Sequence, residues 1–329
     1  MDQQKILRHY QVRQRLIDIL PIAALAVLFY LLCAVVKVKE YRLDMYLKII
    51  FNEGVVLAIV ATGAVFIYTL GSFDISLGAS TLFSATVGVL TYNATSSMAA
   101  MIAAILLTAV GCSLLSSVLA SVFRIPVFVT TVAMMSVLSA IAGQIITTQG
   151  GALGGIGIPS QEVKPLDTPL FKIVILVVFC LACFFLFDFT PVGRRQKFLG
   201  GNPVCARLSG IRGNLYTIIA FVMAGIGVGL GAFLTLIYTP SVTTTTAGSI
   251  GMNIVVAIVF GGMPISGGAR SRIYSAVIGG FSYILLNNIL KLLIDSNVGY
   301  GISQIVAAVF FLAVVSVTGI NYRSKLLPR

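Results

Sequence analysis

The residues that could carry out acid–base, metal or redox chemistry are few and scattered in this 329-residue sequence. It contains ten Asp and Glu residues, five cysteines and one histidine, His9, in a charged N-terminal stretch. Cys180 and Cys183 form a C-x-x-C pair, but they lie in an apolar run and lack the further ligands of a metal site. Because free cysteines of this kind usually pack in a core, we predict no catalytic residue, no metal site and no enzymatic activity.

Polar side chains in or beside apolar runs remain as the functional candidates. Hydrophobic residues make up 58% of the chain and charged residues 10%, against roughly 25% charged residues in soluble proteins, which indicates a polytopic membrane protein. An ionisable group at membrane depth is costly and marks a transport pathway or a buried partner. The pathway candidates are Asp74, Ser76, Thr130, Thr131, Asn253 and Asn287. Asp74 either caps the helix that begins near Ile75, which we favour, or contacts a solute.

Ten apolar runs are long enough to place these residues in a membrane, since about 20 apolar residues cross a hydrocarbon core of about 30 Å. The runs are 19–36, 51–71, 77–94, 98–122, 127–147, 170–188, 215–238, 252–268, 273–294 and 301–320. The third and eighth are short and rich in Gly and Ser, which predicts short or broken helices near 72–80 and 252–268. We therefore expect an all-α polytopic membrane protein with one transmembrane domain, 19–320, an N-terminal segment, 1–18, and a tail, 321–329.

The basic residues predict the orientation of these helices. The net charge of +12 comes mostly from short clusters between apolar runs, a pattern that reflects membrane orientation rather than nucleic-acid binding. If the N-terminus is cytoplasmic, fifteen of the 22 Lys and Arg residues fall inside and seven outside. The positive-inside rule then places both termini in the cytoplasm. The first eighteen residues are too highly charged for a cleaved signal peptide, so the first helix is expected to be retained.

Glycines in the seventh run predict close helix packing. Gly225, Gly227, Gly229 and Gly231 form two overlapping G-x-x-x-G pairs, and small residues of this kind let two helices approach closely. We favour a helix–helix contact within the chain over a contact between subunits.

The loop 190–214 is the longest basic segment without a span, and it carries five basic residues and no acidic one. Asn202 is a plausible N-cap with Pro203 at the first helical position, and Gly210 would end the helix. Such a short capped helix suits docking to another protein, with Ala206, Leu208 and Ile211 as apolar contacts and Gly200 and Gly201 allowing a sharp turn. The alternative is a topology-setting basic loop that touches lipid phosphates.

This loop also resembles a known family. Residues Gly193–Ile211 read G-R-R-x(3)-L-G-G-N-P-x-C-A-R-L-S-G-I, which is similar to the cytoplasmic coupling loop of ABC-importer permeases of the ribose type. Residues Ser72–Ser80 resemble the family's G-I-D-L-S-V-G-S, and Val259–Gly268 resemble V-I-G-G-T-S-L-S-G-G. Pro126–Thr131 is a weaker match. The motifs keep the family's order and, with the ten runs, cover nearly the whole chain.

The resemblance implies the permease subunit of an ATP-driven importer in the bacterial inner membrane. Two ATPase subunits would dock on the coupling loops, through Gly200, Gly201, Asn202, Ala206, Arg207, Leu208 and Gly210. ATP and Mg²⁺ would bind the ATPase, and this chain would need no cofactor; it contains no G-x(4)-G-K-[ST] motif. The other implied partners are a second permease, identical or different, an extracytoplasmic solute-binding protein and the lipid bilayer.

One departure from the family affects the expected solute. The family commonly carries an acidic stretch before its V-I-G-G segment, whereas this chain has Gly251 and Asn253 there. Carboxylates and amides often hold hydroxyl-rich sugars, so the change allows a different solute or a diverged half of a heterodimer. We expect a small polar solute, a sugar foremost and a nucleoside next. The alternatives are an ion-coupled secondary transporter, which usually needs buried carboxylates, and a membrane scaffold that transports nothing.

Overall fold

The computed structural model describes residues 26–27, 40–123, 125–150, 154–246, 250–264, 266–293, 305, 309 and 312. The terminal segments 1–18 and 321–329 lie outside these residues. The first and last predicted spans, 19–36 and 301–320, do so except at isolated positions. The predicted count of ten spans and the side of each terminus are therefore not tested by the described residues.

The described chain is helical apart from turns and one short ribbon. The helices are α1 (Glu40–Thr69), α2 (Leu77–Thr95), α3 (Met98–Phe123), α4 (Val127–Gln149), α5 (Ser160–Val163), α6 (Pro169–Phe184), α7 (Pro191–Gly201), α8 (Pro203–Leu208), α9 (Gly213–Tyr238), α10 (Ile250–Phe260) and α11 (Tyr274–Leu293). A 3-10 turn covers Lys164–Leu166, and a π-helical turn, Phe185–Phe189, continues α6. Strands β1 (Gly155–Gly157) and β2 (Ser241–Thr243) pair antiparallel.

Five of these segments are long and apolar enough to cross a membrane: Leu43–Thr69, Met98–Phe123, Val127–Gln149, Pro169–Phe189 and Gly213–Tyr238. Two shorter apolar helices, Ile250–Phe260 and Tyr274–Leu290, accompany them. The predicted class of an all-α membrane protein is confirmed, because each of these helices overlaps a predicted apolar run. The bounds differ most at α1, which begins at Glu40 and not near residue 51, and at α10, which ends at Phe260 and not near residue 268.

Helix α9 packs between α1 and α3, and its glycines make both contacts possible. Side-chain carbons on Gly225 and Gly229 would crowd Val110 and Leu106 of α3. Those on Gly227 and Gly231 would crowd α1 instead. The two overlapping glycine pairs thus face two different neighbours in the same chain. The prediction of internal helix contacts is confirmed.

The connection between α1 and α2 is irregular and buried. Residues 72–75 have no regular structure, and α2 is continuous from Leu77; the predicted break is therefore confined to the connection and does not extend to residue 80. Helix α2 is seven residues shorter than its neighbour α3, or about 10 Å at 1.5 Å per residue. Because α3 runs back along α2, the start of α2 lies short of the end of α3 along the bundle.

Helix α10 is short, as predicted, and forms an antiparallel hairpin with α11. The pairs Asn253–Tyr283, Ala257–Gly279 and Gly261–Ser275 are in contact along the hairpin. A side chain on Gly251, in the first turn of α10, would overlap the Ile75 carbonyl group. The first turn of α10 therefore lies against the residues that lead into α2.

Helix α1 joins two ends of the bundle that differ in construction. In its first half, Asn52 accepts a hydrogen bond from Lys172, which also contacts Asp167 of the 154–168 loop and Tyr238 before the β-ribbon; we call this the ribbon end. At its other end, Thr69 meets α7 and the 266–271 turn; we call this the coupling end.

Candidate coupling surface and transport pathway

Helix α8 is held by caps at both ends. The Asn202 side chain accepts hydrogen bonds from the backbone N–H groups of Val204 (3.1 Å) and Cys205 (3.0 Å), and Pro203 occupies the first helical position. At the other end Gly210 has a φ of +76°, and the N–H of Ile211 donates to the Ala206 carbonyl at 3.0 Å. A left-handed glycine with a bond back across the last turn is a common helix stop. Both predicted caps are confirmed.

Helix α7 precedes α8 and was not predicted from the sequence. Thr190 caps it, with its hydroxyl accepting from the N–H of Val192, and Pro191 starts it. The Thr-Pro pair is the signal that marks this start. Gly200 and Gly201 form its last turn, so they do not make the predicted sharp turn; Asn202 makes it, with φ −152° and ψ 96°.

Ala206 does not offer the apolar contact expected of it. Its side chain is fully buried in a small cluster with Leu199 of α7 and Tyr216 of α9. It therefore anchors α8 to the bundle.

The exposed apolar side chains of this region are different ones. Leu208 is 84% exposed and Val204 is 67% exposed; they lie four residues apart, on one face of α8. Phe198 of α7 is 44% exposed, and Arg207 is also exposed. We call Phe198, Val204, Arg207 and Leu208 the coupling face. Of these four residues, only Arg207 and Leu208 were singled out in the sequence.

Asp74 and Ser76 are in direct contact within the buried connection that leads to α2. One carboxylate oxygen of Asp74 accepts both the backbone N–H of Ser76 (2.8 Å) and its hydroxyl (2.6 Å). Asp74 and Ser76 are 1% and 2% exposed. The bonded N–H belongs to the residue before Leu77, where the helix begins, so Asp74 orders the entry to α2 instead of capping its first turn.

Helix α4 lies against the same connection. The hydroxyl of Thr131 donates to the Phe128 carbonyl (3.0 Å) and lies 3.5 Å from the carbonyl oxygen of Phe73. Its neighbour Thr130 is buried, and its hydroxyl has no hydrogen-bond partner among the described residues. The structure thus brings Thr131 to the segment that carries Asp74 and Ser76.

Asn253 and Asn287 belong to the adjoining α10–α11 hairpin. The side-chain oxygen of Asn253 accepts a hydrogen bond from the Tyr283 hydroxyl at 2.8 Å. Asn287 is partly buried one turn further along α11 and therefore shares a face with Tyr283. The contact of Gly251 with Ile75 joins this hairpin to residues 71–76, which we call the Asp74 segment. The same contact explains the departure at position 251: no side chain fits there without a backbone shift.

The family of the chain follows from its comparison with known proteins. Residues 46–317 match the family described as branched-chain amino acid transport system / permease component. The chain belongs to this permease family. The predicted resemblance to ABC-importer permeases of the ribose type is therefore confirmed.

Relatives agree with this assignment over most of their length. The ribose import permease RbsC of Haemophilus influenzae is 26% identical over 294 residues, covering 87% of this chain and 88% of the relative. RbsC of Escherichia coli K12 is 27% identical over 281 residues, covering 82% and 84%. The autoinducer 2 import permease LsrC of Yersinia enterocolitica is 28% identical over 295 residues, covering 88% and 79%. No solved structure matches the chain.

Proposed function

We propose that this chain is the permease subunit of an ATP-driven importer of a small polar solute, a sugar foremost and a nucleoside next. The observation that carries the proposal is the coupling face: a capped two-turn element exposes Val204 and Leu208 where nothing else in the described chain covers them. Large exposed apolar side chains rimmed by arginine are typical of protein contacts. In a transport permease, the partner that needs such a contact is the ATPase.

The assembly follows from this assignment. Leu208 and Val204 insert into a groove of the ATPase, and Arg207 pairs with a carboxylate at its rim. ATP and Mg²⁺ bind the ATPase, and the chain itself needs no cofactor. A second permease, identical or different, completes the pathway in the bacterial inner membrane. The transmembrane domain of ten spans, 19–320, leaves both termini and the coupling end in the cytoplasm, and the ribbon end receives the extracytoplasmic binding protein.

The proposed pathway passes the Asp74 segment and the first turn of α10. Hydroxyl and amide groups predominate there, on Ser76, Thr130, Thr131 and Asn253, and they suit a neutral solute with several hydroxyls. The three relatives described above are import permeases for ribose or for autoinducer 2 by name. The only carboxylate among the pathway candidates, Asp74, is already bonded to Ser76, which disfavours an ion-coupled transporter.

The decisive experiment changes Leu208 to Asp. A charge at the centre of a docking contact is expected to lower ATPase co-purification and ribose uptake by about tenfold or more. Asn214→Asp is the control, because Asn214 is exposed at the same end and gains the same charge. Normal co-purification of the Leu208→Asp variant would contradict docking through this face. Wild-type complexes that bind the ATPase but show no solute-stimulated ATP hydrolysis in liposomes would favour the scaffold alternative.

Thiol labelling tests the orientation. Cys205 is exposed on α8, so in a variant that keeps only this cysteine, a membrane-impermeant maleimide should label inverted vesicles and spare intact cells. A cysteine at exposed Ser160, at the ribbon end, should give the opposite pattern. Labelling of Cys205 in intact cells would reverse the orientation and remove the ATPase from this surface.

A further inference from the structure

Three backbone segments meet at Thr69 without a side chain between them. The Thr69 carbonyl accepts a hydrogen bond from the Gly268 N–H at 2.9 Å. A methyl group on Gly200 would overlap the same carbonyl, and one on Gly267 would come within 2.5 Å of it. We call Thr69, Gly200, Gly267 and Gly268 the Thr69 junction. Because these three approaches to the carbonyl are all made by glycine, they contribute no side chains that would interlock and fix one position.

The Thr69 junction connects the coupling face to the Asp74 segment. On one side, Gly200 belongs to α7, which continues through Asn202 into α8. On the other side, Gly71 lies two residues after Thr69 and has a φ of +72°. A side chain on Gly267 would come within 2.8 Å of the Gly71 backbone nitrogen. Two residues separate Gly71 from Asp74. A displacement of α7 therefore acts directly on the start of the segment that carries Asp74.

The segments that meet at Thr69 also carry unpaired polar atoms. Three buried side-chain atoms on these segments have no hydrogen-bond partner among the described residues: the Tyr68 hydroxyl, the Gln196 carbonyl oxygen and the Ser271 hydroxyl. Tyr68 precedes Thr69, Gln196 lies one turn before Gly200 on α7, and Ser271 donates its N–H to the Gly268 carbonyl. Buried polar atoms in folded proteins are almost always paired. A second arrangement of this contact would give these atoms partners that the present one lacks.

We propose that the Thr69 junction is the joint through which movement of the coupling face reaches the transport pathway. This inference rests on the proposed function, since the ATPase supplies the movement. Helix α7 shifts over Thr69, the 71–76 segment follows, and its contacts with Thr131 and Gly251 change. Gly200 and Gly268 are positioning residues: they touch no solute and act through Thr69. The device has two discrete arrangements, as packed elements that switch usually do.

The first test compares two adjacent glycines in the complete importer. A methyl group at Gly200 would overlap the Thr69 carbonyl, whereas one at Gly201 would meet nothing within 4 Å. Gly200 and Gly201 both lie outside the coupling face that the structure defines, so neither change removes a docking side chain. Gly200→Ala should retain the bound ATPase and its basal hydrolysis, while ribose uptake per ATP hydrolysed falls by about tenfold, the size of a typical coupling energy. Gly201→Ala should keep uptake within about twofold of the wild type, as expected for an open surface site. Normal uptake per ATP in Gly200→Ala would overturn the joint.

The second test introduces no steric overlap, so it does not depend on whether the fold tolerates one. Ser271→Ala removes an unpaired buried hydroxyl, so the midpoint of thermal unfolding in detergent should stay unchanged or rise. Uptake per ATP should nevertheless fall severalfold, because the second arrangement loses a hydrogen bond. If Ser271 had only a structural role, its loss would not lower uptake per ATP while leaving the unfolding midpoint unchanged. If Gly200→Ala fails to fold, this variant decides, and wild-type uptake in it would overturn the joint.

Failure of the proposed function has a different signature. In that case the wild-type complex itself would bind no ATPase or take up no solute, and both the proposed function and the proposed joint would be contradicted. Loss of ATPase from Gly200→Ala alone would also count against the joint, because it would show that Gly200 serves docking. Retained ATPase with lost coupling in Gly200→Ala, normal coupling in Gly201→Ala and stable but poorly coupled Ser271→Ala would support the joint.

Discussion

The ribbon end is fastened by bonds between specific side chains and strands. Lys172 is buried there, donates to Asn52 of α1 at 2.5 Å and pairs with Asp167 in the loop before α6. The ribbon pairs Gly155 with Thr243, and the side chain of Asn93 on α2 donates to the Gly157 carbonyl at 3.3 Å. Each of these contacts has a donor, an acceptor and one favourable geometry. Together they hold the 154–168 loop and the ribbon in one position.

The coupling end is assembled in a different way. Its central contact is glycine backbone against the Thr69 carbonyl. Side-chain bonds from Arg195 and Gln196 to Tyr216 hold α7 to α9, but three buried polar atoms on the segments that meet at Thr69 are unpaired among the described residues. Leu208 and Val204 are exposed beside it. At the Thr69 junction one backbone bond, from the Gly268 N–H, is the directional contact. The glycine approaches beside it permit sliding, and the unpaired atoms leave a second arrangement available. If the chain works as proposed, the ribbon end is the fixed part of the permease and the coupling end the moving part.

The largest effect is expected from a charge beneath the coupling face. Ala206→Asp would bury a carboxylate among Leu199, Tyr216 and Ile211, which offer apolar surface. Burial of an unpaired charge should lower the stability of this end by about 3 kcal/mol or more. Thermal unfolding in detergent, followed by size-exclusion chromatography, measures the loss. The same change at Cys205, the exposed neighbour, is the matched control. Equal stability of the two variants would show that α8 is not anchored through Ala206.

The sequence predicted α8 closely because its caps are local. An Asn-Pro start and a glycine stop act within a few residues, so they can be read without knowledge of the fold. The burial of Ala206 could not be read in this way, since it depends on Leu199 of α7 and Tyr216 of α9. Helix α7 was missed because its basic residues suggested a loop, although Thr190 and Pro191 mark its start.

Long-range contacts explain the remaining differences between prediction and structure. Glycine is needed at position 200 because the backbone of Thr69, which is remote in sequence, approaches it closely. Glycine is needed at position 251 because the backbone of Ile75 does the same. A single sequence shows that glycine is present but does not show which backbone approaches it. By contrast, the glycines of α9 were interpreted correctly, because a repeated spacing on one helix already indicates packed faces.

An intermediate effect is expected at the ribbon end from Lys172→Met. The variant keeps the length of the side chain but removes the bonds to Asn52 and Asp167. Because the Asp167 side chain is 43% exposed, water can solvate it after the change, and the expected loss is about 1–3 kcal/mol rather than that of a fully buried pair. The midpoint of thermal unfolding measures it.

Lys164→Met is the control for this change, since Lys164 is exposed in the same loop. If the ribbon end is the fixed part, Lys172→Met should lower stability and leave uptake per ATP unchanged. Reduced uptake per ATP in a variant that remains folded would show that the ribbon end also moves, and the contrast between the two ends would be lost.

The smallest effect is expected from Asn202→Ala, which removes the cap of α8 without changing its packing. The Asn202 side chain accepts two hydrogen bonds from the first turn, and loss of an N-cap typically costs about 1 kcal/mol. Global stability should therefore change little, while a helix of only six residues should fray and present Leu208 less often. The expected result is severalfold weaker ATPase association with an almost unchanged unfolding midpoint. Asn214→Ala, an exposed asparagine in the same region, is the control. If Asn202→Ala binds the ATPase as tightly as this control, the order of α8 does not matter for docking, and the coupling face acts through Phe198 and α7 instead.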